Sequence, residues 1–123
     1  MKKTEIKAKW LHELRHGGHE QVPGTLKGIK SDGTIGFCCL GVLEEKVLGN
    51  QVTAVKLLDP DDDKDFSMEY EGPENTYFYL KNVIVGNQSL TDDFIQKNDD
   101  GWTFPEIADY IERTWNPDDK ETV

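Results

Sequence analysis

Two cysteines stand side by side inside an apolar run, Phe37-Cys38-Cys39-Leu40-Gly41-Val42-Leu43, and the chain has no others. Adjacent cysteines cannot close a loop that constrains a fold, and joining them to each other requires a strained ring. Whatever this chain folds into must therefore be held by apolar burial. At 123 residues the chain is long enough for that, since one domain of this size buries roughly two-thirds of the surface its unfolded form exposes. The run itself reads two ways: as small buried side chains, or as a thiol opening a helix, where the dipole stabilises a thiolate.

The net charge of −10 is unevenly spread: up to Leu58, nine Lys/Arg face six Asp/Glu, whereas from Asp59 five face eighteen. A field of that sign repels nucleic acid, anionic membrane and phosphorylated ligands at long range and attracts basic protein surfaces. The opening Met1-Lys2-Lys3-Thr4-Glu5 lacks the apolar segment of a signal peptide, and no stretch approaches the roughly 20 apolar residues of a membrane span. The expectation is a soluble cytoplasmic protein with reduced thiols.

Ile6, Trp10 and Leu14 recur at four-residue spacing after Thr4, a good N-cap, and before Gly17-Gly18, so a helix is expected over 4–16. Residues 17–36 are glycine-rich loop, with a hairpin turn expected at Ser31-Asp32-Gly33, and they lack any phosphate-binding signature. Leu40, Leu43, Val47 and Leu48 fit a helical face over 38–48, with a strand over 36–42 as the alternative. Residues 52–58, 66–70 and 76–85 alternate like short strands of a small antiparallel sheet. A short helix is expected from Ser89 or Thr91 to about Lys97. A turn then follows at Asn98-Asp99-Asp100-Gly101, and Thr103-Phe104-Pro105-Glu106 reads as a capping box opening a last helix that ends before Asn116-Pro117. The fold class expected is α+β: one domain over 1–115 with a small antiparallel sheet, three to four helices and a C-terminal helical hairpin, followed by a polar, frayed tail over 116–123.

Three blocks carry a resemblance: Trp10-x-x-x-Leu14-Arg15-x-Gly17 with Gln21-x-x-Gly24-x-Leu26, then Phe37-Cys38-Cys39-Leu40-Gly41-Val42-Leu43, then Asn98-Asp99-x-Gly101-x-Thr103-Phe104-x-Glu106-Ile107-Ala108-Asp109-Tyr110-Ile111-Glu112. In their order and spacing the chain resembles a family of small uncharacterised proteins of tailed phages and bacterial prophages. The resemblance implies the cytoplasm of a bacterial host and supplies no catalytic residue. Members of that family usually carry an aromatic residue at the place of His19 and often a further cysteine where this chain has Glu44-Glu45.

The weak catalytic candidates are Cys38 and Cys39 with His16 or His19 as base. All three histidines precede the thiols, whereas families with a thiol opening a helix usually supply the histidine later. A zinc site from His16, His19, Cys38 and Cys39 has suitable ligand types, but adjacent residues diverge and cannot chelate one ion. Asp59-Pro60-Asp61-Asp62-Asp63-Lys64-Asp65 begins like a calcium loop and then places Lys64 where glycine must turn and Tyr70 where the bidentate glutamate belongs. Residues 92–115 resemble the opening of a helix-turn-helix, but Pro117-Asp118-Asp119 follow in place of a recognition helix, so no direct DNA binding is expected. No cofactor and no metal are expected.

The function expected is non-catalytic binding, by a small acidic phage or prophage accessory protein, to a host or competing factor with a basic surface. The binding residues expected are Asp61, Asp62, Asp63, Asp92, Asp93, Asp99 and Asp100. The alternatives are a nucleic-acid-mimic inhibitor and a counter-defence protein that binds a nucleotide signal. For the latter, Trp102, Tyr77 and Tyr79 would stack a base and Lys9, Arg15, Lys27 and Lys30 would meet phosphate. A cysteine-dependent enzyme comes last.

Overall fold

The computed structural model describes residues 2–56 and 88–117. Ile6, Trp10 and Leu14 form, with Leu11, the buried stripe of α1 (Lys3–His16). The helix starts earlier than the Thr4 cap suggests, because the Lys2 carbonyl accepts the Ile6 N–H at 3.0 Å. It stops where expected: Gly17 caps it and Gly18 turns away at φ +70°, a conformation a Cβ would strain.

The glycine-rich segment leads into a hairpin of β1 (Lys27–Ile29) and β2 (Ile35–Phe37), antiparallel with Gly28 opposite Gly36. Its turn is the one read from Ser31-Asp32-Gly33: Asp32 Oδ1 accepts the Thr34 N–H at 2.9 Å and Gly33 takes φ +87°. The chain then enters α2 (Cys39–Val42), which continues as one wide π-helical turn over Leu43–Val47. Leu48 N–H reaches back to the Leu43 carbonyl at 3.0 Å, and Gly49, at φ +77°, ends the segment.

The sheet departs from the expected antiparallel arrangement. β3 (Val55–Lys56) pairs with β1 in parallel, with Gly28 opposite Val55, so the order β2-β1-β3 is mixed. The helical segment after β2 returns the chain across the sheet, and β3 therefore enters in the same direction as β1. Of the strand expected over 52–58 only Val55–Lys56 pairs among the described residues. The strands expected over 66–70 and 76–85 lie outside them.

The C-terminal hairpin is α3 (Gln88–Asp99) and α4 (Phe104–Thr114). Both halves of the capping box form: Thr103 Oγ1 accepts the Glu106 N–H, and Glu106 Oε1 accepts the Thr103 N–H at 3.1 Å. Thr103→Ala is expected to lower stability by about 1 kcal/mol, read as a shift in urea midpoint at unchanged slope. Thr91, one of the two helix starts expected, is instead fully buried on the inner face of α3.

Ile6, Trp10 and Leu14 of α1, Cys38 to Leu43, Phe94 of α3, and Phe104, Ile107 and Ile111 of α4 form one apolar cluster. Trp10 is at its centre, wholly buried and edge-on to Phe94 and Trp115, each with ring centroids 5.9 Å away. The architecture is α+β, with helices on a small sheet.

Candidate functional site

Neither thiol is exposed at all. Cys38 is the N-cap of α2, its Sγ accepting the Gly41 N–H at 3.4 Å, and Cys39 Sγ donates to the Phe94 carbonyl at 3.6 Å. Hydrogen bonding between the two thiols, followed by burial, pushes the Cys39 thiol well above its ordinary range, so a thiolate is disfavoured there. The histidines are engaged elsewhere. His19 Nε2 lies 2.6 Å from Glu13 Oε2 with its ring edge-on to Phe37, while His16 is exposed on α1, its ring 5.3 Å from that of His12. Among the described residues no three His, Cys, Asp or Glu side chains converge as metal ligands would. Both thiols are expected to react with a thiol reagent only as fast as the protein unfolds. Cys38→Ala, which removes the cap acceptor, is expected to cost about 1 kcal/mol, measured by denaturant titration.

The expected binding acids divide. Asp61, Asp62 and Asp63 lie outside the described residues. Asp99 is exposed, yet its Oδ1 accepts the Gly24 N–H at 2.8 Å, and Asp100 Oδ1 accepts from Gln96 at 2.9 Å. Asp99 belongs to a seam that the sequence blocks hide. Gln21 Nε2 donates to Asn98 Oδ1 at 2.9 Å and to the Trp102 carbonyl at 2.6 Å, and Asn98 Nδ2 donates to the Val22 carbonyl at 2.9 Å. The glycine-rich loop and the 98–101 turn thus satisfy each other's backbone groups.

Asp93 is half-buried, accepting from Lys97 Nζ at 3.0 Å and from the Tyr110 hydroxyl. With Ser89, Leu90, Asp92 and Gln96 it lines an open depression of about 550 Å³ on α3. The i, i+4 spacing of Asp93 and Lys97 was the signal by which this pair could have been found. The Tyr110 hydrogen bond first, then Lys97, holds the Asp93 carboxyl below its ordinary range, and the same bond raises Tyr110. A depressed acid contributes stability at neutral pH that is lost as pH falls below about 4, and a raised tyrosine contributes stability that is lost as pH rises past about 10. Asp93→Asn is expected to flatten both limbs of the urea midpoint measured from pH 2 to 11.

Three of the four cations named for phosphate are paired internally. Arg15 Nη2 bonds Asp109 and Glu112 at 2.7 Å each, Lys27 bonds Glu45 at 2.7 Å, and Lys30 bonds Glu20. Across residues 88–117 seven acids face only Lys97 and Arg113, a net −5, with Asp92, Asp99, Asp100, Glu106, Asp109 and Glu112 all exposed.

These observations define a small α+β protein with a buried cysteine centre and an acidic helical hairpin. The family model described as a domain of unknown function, DUF8296, matches residues 1–75, and the chain belongs to that family. The match takes in the first two motif blocks and ends before the hairpin. No curated protein and no solved structure matches the chain. Among the described residues no helix is long and apolar enough to cross a membrane.

Proposed function

We propose that this chain is a phage or prophage accessory protein that acts without chemistry of its own, by presenting an acidic surface to a basic region of a host or competing protein. The observation that carries this reading is the net −5 of residues 88–117, whose carboxylates apart from the half-buried Asp93 are exposed, with Arg15 of α1 set against Asp109 and Glu112, while both thiols are sealed in the core. Hydrogen bonds from uncharged donors, Gly24 N–H to Asp99 and Gln96 to Asp100, fix where these charges sit without neutralising them, and a fixed field raises both the rate and the selectivity of encounter with a basic surface.

The test is capture from a bacterial host lysate with the wild-type chain and with a charge-reversed chain, Asp92→Lys with Asp100→Lys, and separately with residues 61–63 reversed. The expected result is a basic captured protein whose retention falls steeply with salt and is lost on reversal. Retention of every captured partner by both reversed chains would overturn the electrostatic reading.

A further inference from the structure

Lys97 leaves the last turn of α3 and folds back, so that its Nζ lies 4.8 Å from the ring centroid of Trp102 and 4.4 Å from that of Tyr110. The two rings stand at 77° to each other with centroids 6.0 Å apart, forming a corner around the ammonium. Asp93 Oδ1 closes a third side at 3.0 Å. Aromatic faces and a carboxylate around a cation make up a cage of the kind proteins use to hold side-chain and ligand cations. Here the cation is the protein's own.

The walls are held by bonds that do not involve the Lys97 side chain. Trp102 is fixed through its backbone, its N–H on the Lys97 carbonyl at 3.0 Å and its carbonyl on Gln21 Nε2 at 2.6 Å. Tyr110 is fixed by its hydroxyl on Asp93 and by Phe94, edge-on at 5.9 Å. Lys97 itself is a long side chain, 19% exposed, on four rotatable bonds. A cage whose walls hold without its occupant, beside the depression that Asp93 lines, suits exchange of one cation for another.

We propose that the Trp102–Tyr110–Asp93 corner is a docking cage for one arginine side chain of a basic partner protein, and that Lys97 is a built-in plug which that side chain displaces. The proposal rests on the acidic-surface reading above. Arginine is favoured over lysine because a planar guanidinium stacks flat on Trp102 while it donates to Asp93 Oδ1, whereas an ammonium lacks the stacking face. The plug lowers apparent affinity by the fraction of time the cage stands open, so removing it strengthens binding.

The experiment titrates the full chain with N-acetyl-arginine amide, and in a parallel arm with N-acetyl-lysine amide, following the Trp102 indole N–H by NMR. That resonance is assigned with Trp102→Phe. Lys97→Ala is expected to bind the arginine amide roughly ten-fold more tightly than wild type, as removal of a plug closed nine-tenths of the time requires, and to prefer it to the lysine amide. Adding Trp102→Ala, where the indole is gone and the titration is followed at the backbone N–H of Gly101, is expected to abolish the gain. Equal binding by wild type and Lys97→Ala, or a gain that survives loss of Trp102, would overturn the cage, and lysine binding at least as well as arginine would overturn the choice of occupant. Lys97→Ser shortens the side chain in the same way and serves if the alanine variant does not fold. Failure here leaves the salt-sensitive capture untouched, whereas failure of the charge-reversal test leaves this titration readable.

Discussion

Gly41→Ala is expected to destabilise the protein by about 3 kcal/mol, although an unobstructed helix gains about 1 kcal/mol from the same exchange. The sign reverses because a Cβ on Gly41 would sit 1.9 Å from the Leu26 carbonyl oxygen and 2.8 Å from its carbon. Neither group can move cheaply. The Leu26 oxygen accepts the Cys38 N–H at 3.1 Å, and Gly41 N–H is committed to Cys38 Sγ at 3.4 Å, so the approach of loop and helix is also the helix's start. Relief would require pulling the 17–26 loop away from α2 and with it the seam to Asn98 and Asp99. Urea titration by circular dichroism reads the effect, and a neutral or stabilised Gly41→Ala would show that this close approach does not exist.

Trp10→Ala is expected to cost about 4 kcal/mol, a large share of the 5–15 kcal/mol by which domains of this kind are stable. Trp10 is fully buried between Phe94 and Trp115, so α1, α3 and the end of α4 all lose their common contact. The indole N–H also donates to the Cys39 carbonyl at 2.8 Å, the first residue of α2. Trp10→Phe separates the two contributions: it keeps most of the apolar volume and removes one donor to that carbonyl, which still accepts the Leu43 N–H, and a loss of about 2 kcal/mol is expected from the unmade bond with some packing. If Trp10→Phe were as costly as Trp10→Ala, burial of the ring would not be what Trp10 supplies. Denaturation followed by circular dichroism avoids the change in fluorescence that removing a tryptophan brings.

Much of the fold was legible because its signals are local. The four-residue spacing of Ile6, Trp10 and Leu14, the Asp32-Gly33 turn and the Thr103–Glu106 box each depend on residues within about one or two helical turns of one another. What was not legible depends on partners far apart in the chain. β3 pairs in parallel with β1 because of where the intervening helix returns the chain, and no alternation within 52–58 encodes that. Thr91 has the composition of a cap and lies instead fully buried on α3, which packs against α2 and α4.

The candidate site divides the same way. From sequence, Asp93, Asp99 and Asp100 are three equivalent surface charges. In the fold Asp99 terminates the Gly24 N–H, Asp100 takes Gln96, and Asp93 clamps Lys97 and Tyr110. Trp102 was read as a platform for a base, and its face is filled by Lys97. Composition places charge on the chain, but only packing decides which carboxylates are also hydrogen-bond acceptors for the backbone.

The sequence by itself determined that this protein must be held by apolar burial, that its cysteines could not staple it, and that eighteen of its twenty-four acids lie from Asp59 onward. Periodicity and turn chemistry are written in neighbouring residues, so they survive without coordinates. Tertiary structure alone decided that Cys38 caps a helix beneath Leu26, that Gln21 and Asn98, 77 positions apart, share a hydrogen bond, and that Lys97 sits against Trp102 and Tyr110. Those contacts exist because burying Trp10 and its neighbours brings distant segments into register, and no local preference specifies which groups will then meet.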